Sequence, residues 1–336
     1  MNKEILDRAY GALVGGAIGD AMGMPASFFT REKMKTTYGY IQDFVSPEAE
    51  SQNYHGDLEA GEITDDTMES IIISEILIKH NGFNKEAFNY AMKKWAIEQK
   101  MLDSTVIGPS TRRYLTALIE GKNPEETSGL SSTNGSAMRV AAVGVKYWND
   151  LKSCVEAAAE SSIPSHGSKP CIAGACAVAC AVAAGVKGEY LPEDIMMKCY
   201  DAALYGEKIG HDITSPMVSK RILLAKRIVD ENRNSNIENI LDELVGILGA
   251  SMYVYESVPL SLGVFYAVNG NGEKGIPAAI NCGDDADTNG AICGNICGAY
   301  SGANALPNHW KERVQKVSSL DFFDTAKKLL NMDISD

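Results

Sequence analysis

Apolar residues recur along most of this chain at spacings of three and four, the interval that places them on one face of an α-helix. The pattern predicts helices over residues 4–22, 67–79, 85–100, 110–119, 151–161, 171–184, 195–205, 218–229, 237–248, 259–268 and 289–303. No stretch sustains the period-two alternation of a half-buried strand, so the predicted class is all-α, a compact helical bundle. No Pro/Ser-rich linker, charge block or shift in composition divides the chain, and residues 1–336 are expected to form one domain.

Three segments carry a small residue at every fourth position, the row that runs along one helix face. They are Gly11, Gly15, Gly19 and Gly23; Cys176, Cys180, Ala184 and Gly188; and Gly290, Gly294, Gly298 and Gly302. A glycine inside a helix is about 1 kcal/mol less favourable than alanine, so its repetition needs an offsetting gain. Close approach of helix backbones supplies one, and a tight central bundle is expected. Residues 30–62 break the helical pattern with polar and turn-forming positions, punctuated by Gly39, Pro47, Gly56 and Gly61. A loop of this length is either a binding loop or lid, or a plain surface excursion. Its Tyr38, Tyr40, Tyr54 and His55 are candidates for contact with part of a ligand.

Composition narrows the possible roles. Hydrophobic residues make up 45% and charged residues 22%, enough for a large core. A formal net charge of -13 argues against non-specific binding to nucleic acid or an anionic membrane, both of which need clustered Lys and Arg. The apolar stretch 9–18 is preceded by Glu4 and Asp7 and followed by Asp20, unlike a signal sequence. The run 171–186 is shorter than the roughly 20 residues a bilayer span requires. The eight cysteines form no Cys-x-x-Cys pair, and several lie among Ala and Gly, where a thiol serves as a small apolar core residue. These features fit a cytoplasmic location.

Two segments carry candidate chemistry. Thr64-Asp65-Asp66-Thr67 precedes an apolar helix, and Asp284-Asp285-Ala286-Asp287-Thr288 precedes the last glycine-ridged one. Either alone reads as a helix start, with a hydroxyl N-cap and acids stabilised by the helix dipole. Two such clusters suggest more, because adjacent carboxylates repel unless cations neutralise them. Oxygen-only donors suit Mg²⁺, Mn²⁺ or Ca²⁺, and the absence of His and Cys argues against zinc.

These segments and others resemble the ADP-ribosylglycohydrolase family. The resemblance spans most of the chain, through Gly11-Ala12-Leu13-Val14-Gly15-Gly16-Ala17-Ile18-Gly19-Asp20-Ala21-Met22-Gly23 and Ile63-Thr64-Asp65-Asp66-Thr67. It continues in Gly108-Pro109-Ser110-Thr111, Asn134-Gly135-Ser136-Ala137-Met138-Arg139, Ser165-His166-Gly167 and Gly283-Asp284-Asp285-Ala286-Asp287-Thr288. It implies a compact all-α fold with a two-metal site, usually Mg²⁺ or Mn²⁺, whose ligands would be Thr64, Asp65, Asp66, Asp285, Asp287 and Thr288. By the same resemblance, residues 134–139 would line a ribose and phosphate pocket, with Gly108, Pro109, Ser110 and His166 nearby.

The chain departs from the family pattern at two positions. Ser27 stands where many members carry a Glu, and Asp284 where a second Gly is common, which would add a negative charge beside the metals. Arg139 could form an ordinary surface contact or salt bridge, or, in its motif, contact phosphate or support the pocket wall. His166 could be a satisfied core residue or part of the pocket, and Asp20 a helix-end charge or a brace for the metal site.

The implied reaction is hydrolysis of an N- or O-glycosidic bond at the ribose of an ADP-ribose conjugate, with Asp65, Asp66 and Asp285 as candidate catalytic residues. A hydrolase of small ribosides on the same metals is one alternative. A catalytically silent relative that binds ADP-ribose or serves a structural role is another.

Overall fold

The computed structural model describes residues 2–48, 55 and 58–332. The first half of the chain forms α1 (Asn2–Gly23), α2 (Arg31–Tyr38), α3 (Asp65–His80), α4 (Lys85–Glu98), α5 (Pro109–Ile119), α6 (Glu125–Ser128), α7 (Gly135–Met138), α8 (Ala141–Lys146) and α9 (Leu151–Ser162). There follow α10 (Lys169–Lys187), α11 (Pro192–Gly206), α12 (Val218–Glu231), α13 (Ile237–Leu248), α14 (Val254–Ala267), α15 (Gly272–Ile280), α16 (Ala286–Ser301), α17 (Asn308–Ser318) and α18 (Phe322–Leu329). Among the described residues there is no sheet, and the β-like contacts are isolated bridges at Phe29–Asp284, Thr133–Tyr253 and Ser168–His211.

Every predicted helix is present, and α2, α6, α7, α8, α15, α17 and α18 are additional. The expected loop therefore contains a helix: Thr30 caps α2 by accepting from the Lys33 amide, and Met34 is its one buried residue. So polar a helix shows no apolar stripe in the sequence. Tyr54 lies outside the described residues. Helix α14 begins at Val254, ahead of Pro259, because the proline sits inside the helix rather than in its first turn.

The first and third small-residue ridges mesh with each other. Helices α1 and α16 run antiparallel, and a Cβ added to Gly11, Gly15 or Gly19 would lie 2.3, 2.4 or 2.0 Å from the carbonyl oxygen of Gly298, Gly294 or Gly290. A Cβ on Gly23 would meet the Ala286 oxygen at 2.4 Å. No side chain fits between these backbones. Beside this row, Asn295 Oδ1 lies 2.0 Å from where a Cβ of Gly16 would stand.

The ridges extend less far than the spacing suggests. Gly188 and Gly302, at φ +70° and +82°, are helix-ending residues rather than packing positions. Helix α10 meets α16 through Gly185, whose Cβ would come within 3.0 Å of Ala299, one position beyond the expected row. At 19 residues α10 is long and apolar enough to cross a membrane by composition, but 94% of its apolar window is buried inside the protein. The core it belongs to is continuous from Ile5 to Leu329.

Gly15→Ala should destabilise the protein by about 1–3 kcal/mol, because the new methyl has nowhere to go. Gly246→Ala, on the exposed face of α13 with open space around it, should stabilise it by about 0.5–1 kcal/mol. Urea unfolding of the two variants measures both; equal effects would contradict the packing described.

Candidate active site

Both Asp/Thr segments are helix starts, as the sequence suggests. Thr64 Oγ1 accepts from the Asp66 amide at 3.4 Å and caps α3, which places Asp65 and Asp66 in its first turn. Asp285 is the residue before α16, and Asp287 and Thr288 lie in that helix's first turn. The glycine register carries the start of α16 to the end of α1. There a two-bond clasp holds it: the Phe28 amide donates to Asp284 O at 2.5 Å and the Asp284 amide to Phe29 O at 2.7 Å. Buried Ser27 reinforces the clasp, its Oγ accepting from the Asp287 amide at 3.3 Å.

Asp284 has φ +54°, in the left-handed region. That conformation favours glycine and admits Asp better than most residues, so the departure from the family pattern is structurally tolerated. The Asp284 side chain is exposed at the surface and does not line the cavity.

The two helix starts meet. Thr288 Oγ1 lies 3.4 Å from Asp66 Oδ1, although the residues are 222 positions apart. Asp65, Asp66, Asp285, Asp287 and Thr288 line one cavity of ≈ 50 Å³ together with Gly108, Asn134, Gly135 and Met138. Asn134 Nδ2 donates to Asp285 Oδ2 at 2.6 Å and to Ser257 Oγ at 3.1 Å, fixing that carboxylate.

Other expected site residues lie around this cavity rather than on its wall. Thr64 turns its hydroxyl to Asp20 at 2.8 Å. Pro109 is the exposed first residue of α5, and buried Ser136 donates to the Cys171 carbonyl at 3.3 Å. Ser110 and His166 are buried behind Thr133, with Thr133 Oγ1 2.9 Å from Ser110 Oγ and 3.2 Å from His166 Nε2. Arg139 is not a phosphate-facing residue: it is 1% exposed and pairs with buried Glu69 at 2.5 Å. A buried guanidinium with a carboxylate partner is committed to the interior.

Four further lining residues were not singled out in the sequence, Phe28, Val106, Thr133 and Met252, and Thr111 was quoted there only as the last residue of a motif, without a role in the site. Phe28, at φ +65°, is a bulky residue in a strained conformation beside the cavity. His55 also lines the cavity, and neither of its buried ring nitrogens has a hydrogen-bond partner. The sequence marked it only as an aromatic in a polar loop. Thr111 closes the Gly108-Pro109-Ser110-Thr111 motif and Thr133 directly precedes Asn134, so membership of a motif or adjacency to one was the available signal.

Asp20 braces the site from α1. Its carboxylate accepts from the Thr64 amide at 3.0 Å, from the Thr67 amide at 3.2 Å and from Thr67 Oγ1 at 2.5 Å. Burial and the nearby Asp287 still push it up to about 7, against those stabilising hydrogen bonds. Asp65, Asp66 and Asp285 are all held well above the usual carboxylate range, by burial first and by neighbouring carboxylates second. Burial likewise lowers His55, partly opposed by Asp287.

Among the described residues no Lys or Arg lines this cavity, and buried Asp66 Oδ2 has no partner. Among the described residues, no three acidic, His or Cys side chains stand close enough to make a ready-formed metal shell. The donor chemistry nonetheless fits hard cations: a set of donors dominated by oxygen, with His55 as the nitrogen donor on the wall, excess negative charge and an orphaned carboxylate oxygen.

The whole chain matches this architecture in known proteins. The ADP-ribosylglycohydrolase family profile matches residues 1–335, and the chain belongs to that family of hydrolases. It is similar to the uncharacterised Escherichia coli protein YegU, 30% identical over 319 residues and 94% of each chain. It is also similar to the ADP-ribosylarginine hydrolase Tri1 of Pseudomonas putida, 25% identical over 98% of this chain and 82% of that one. A solved structure described as an ADP-ribosylglycohydrolase-related protein complex superposes with a TM-score of 0.72 at 23% identity, covering 98% of this chain and 99% of that one, which confirms the fold.

Raised carboxylate values fix the direction of the pH dependence. A group with a higher value in the folded than in the unfolded protein favours the folded state only while protonated. Without cations, stability should therefore fall as pH rises from about 4, the unfolded value, through the folded value of Asp20 at about 7. Thermal unfolding in chelator across this range should show that decline, and added Mn²⁺ should reduce it. A metal-free midpoint that rises over the same interval would refute the electrostatic picture.

Proposed function

We propose that the chain hydrolyses the N- or O-glycosidic bond at the ribose of an ADP-ribose conjugate, either an ADP-ribosylated protein or a related small molecule. Two divalent cations, Mg²⁺ or Mn²⁺, would be held by Asp65, Asp66, Asp285, Asp287 and Thr288, while Thr64, its hydroxyl bonded to Asp20, braces the start of α3 from behind. The observation that carries the reading is the junction of the two helix starts, where Thr288 Oγ1 and Asp66 Oδ1 stand 3.4 Å apart. The cations, when bound, supply Lewis-acid polarisation and favour ionisation of a bound water.

The protein's own groups do the positioning. Asp65 and Asp66 orient the attacking water, while Asn134 holds the Asp285 carboxylate in place. Concentrated negative charge beneath the ribose favours the oxocarbenium character that develops as the glycosidic bond lengthens. His55, with two unpartnered ring nitrogens in the same cavity, is assigned a substrate or water contact. This contact gives the site a polar group that Ser27, engaged with the Asp287 amide, does not provide.

Asp66→Asn and Asp285→Asn should each lower kcat on the order of 100-fold or more and weaken Mn²⁺ binding measured by calorimetry. Full activity together with undiminished cation binding in either variant would remove these residues from the mechanism.

The cavity's size favours a second reading on the same residues, hydrolysis of small ribosides. At ≈ 50 Å³ it is far below the roughly 300–1,000 Å³ of drug-sized ligand sites. Under the main reading, ADP-ribose release from modified protein should exceed base release from free nucleosides in kcat/KM. The reverse order would select the riboside reading. Either reaction suits a reducing cytoplasm, a placement supported by eight buried free cysteines, including Cys293 and Cys297 with sulfurs 3.7 Å apart.

A further inference from the structure

The loop between α2 and α3 brings one side chain into the cavity that neither helix start supplies. His55 is 4% exposed and lines the cavity together with Asp65, Asp66, Asp285, Asp287 and Thr288. The segment that carries it is anchored on both sides. Asn281, in the turn that leads to α16, accepts from the Ile41 amide at 3.0 Å and donates to the Ile41 carbonyl at 2.7 Å. The Glu48 amide donates to Tyr38 Oη at 2.8 Å, and Arg313 Nη2 donates to the Ala60 carbonyl at 2.7 Å.

Both ring nitrogens are buried, and neither has a hydrogen-bond partner. A neutral imidazole carries one N–H and one bare nitrogen. A water, a ligand or a carboxylate can receive the N–H, but the bare nitrogen needs a donor or a cation. The wall offers few donors. Ionised carboxylates have none. Asn134 gives its amide hydrogens to Ser257 and Asp285, and Thr288 gives its hydroxyl hydrogen to Asp66. Thr111 and Thr133 also line the cavity, yet neither hydroxyl stands within hydrogen-bond reach of the ring. Burial lowers the proton affinity of His55, and the charge of Asp287 opposes this without reversing it. The ring is thus held in the neutral form that a metal ligand requires.

A buried lone pair in a cavity with four carboxylates, and with no Lys or Arg among the described lining residues, is complementary to a metal ion. We propose that His55 is a nitrogen ligand to one of the two cations, and that it shifts the site's preference from Mg²⁺ toward Mn²⁺ and later transition ions such as Co²⁺. Carboxylates and hydroxyls alone form a hard oxygen site, whereas an imidazole adds a donor that suits transition ions better than Mg²⁺. The second ring nitrogen keeps its hydrogen for the water or substrate contact, so both nitrogens find partners. This assignment rests on the two-cation reading of the site and is independent of which bond is hydrolysed.

Pulsed electron paramagnetic resonance of the Mn²⁺-loaded full chain tests the ligand without any substrate. The expected signal is the hyperfine modulation of a directly bound ¹⁴N, altered by ¹⁵N-histidine labelling and absent in both His55→Gln and His55→Ala. Calorimetry with Mg²⁺, Mn²⁺ and Co²⁺ tests the selectivity. Each variant should weaken Co²⁺ binding on the order of tenfold or more and Mg²⁺ binding by less than about twofold. Bound Mn²⁺ without nitrogen coupling in the wild-type chain, or coupling that survives both substitutions, overturns the proposal. An equal loss of Mg²⁺ and Co²⁺ affinity overturns the selectivity assigned to His55. A wild-type chain that binds no Mn²⁺ defeats the two-cation reading and this assignment together. Nitrogen coupling in a chain that leaves ADP-ribose conjugates intact would support the ligand while defeating the proposed reaction.

Discussion

The site depends on the backbone contact between α1 and α16. Glycines facing carbonyl oxygens at Gly11–Gly298, Gly15–Gly294 and Gly19–Gly290 bring the two helices closer than side chains would permit. The helices are antiparallel, so the same contact places the acidic start of α16 beside the end of α1 that carries Asp20 and beside Ser27, four residues beyond it. Asp20 then receives the start of α3 through the Thr64 and Thr67 amides and hydroxyls. Three distant pieces of sequence are thereby brought to one cavity by packing and hydrogen bonds of the protein alone.

What is assembled there is electrostatically unfavourable by itself. Burial and mutual repulsion raise Asp65, Asp66 and Asp285, and among the described residues no Lys or Arg lines the cavity to oppose them. The nearest fully buried arginine, Arg139, is instead paired with Glu69. Keeping protein cations off the cavity wall leaves its negative charge available to a ligand or metal ion, consistent with a site built to take up cations.

The parts legible in the sequence were those with a local signature. Long helices with apolar faces were readable, and so were the acidic helix starts, because capping and the dipole act within one turn. Short buried segments such as α7 and α8 have no room for a period, while α2 is too polar to show one. The fate of Arg139 was hidden for another reason: a lone arginine near a binding motif resembles a ligand contact until its partner is found. Glu69 carried the clue, as a charge just after the acidic helix start, on a helix whose middle is rich in isoleucine, but pairing across 70 residues is a property of the fold. The cavity hydroxyl of Thr133 was equally silent, since threonine occurs in many ordinary settings, and that of Thr111 was visible only as part of a motif.

A repeat of four has one weakness: it cannot count turns. If α16 slipped along α1 by one turn, about 5.4 Å, Gly294 would still oppose a glycine, and the ridge alone would scarcely distinguish the two alignments. Asn295 removes that ambiguity. Its side chain occupies the space above Gly16, 2.0 Å from a missing Cβ, whereas a slip would bring it against Ala12 or Asp20. The smooth glycine track supplies proximity, and this single amide acts as the index mark that keeps the carboxylates opposite one another.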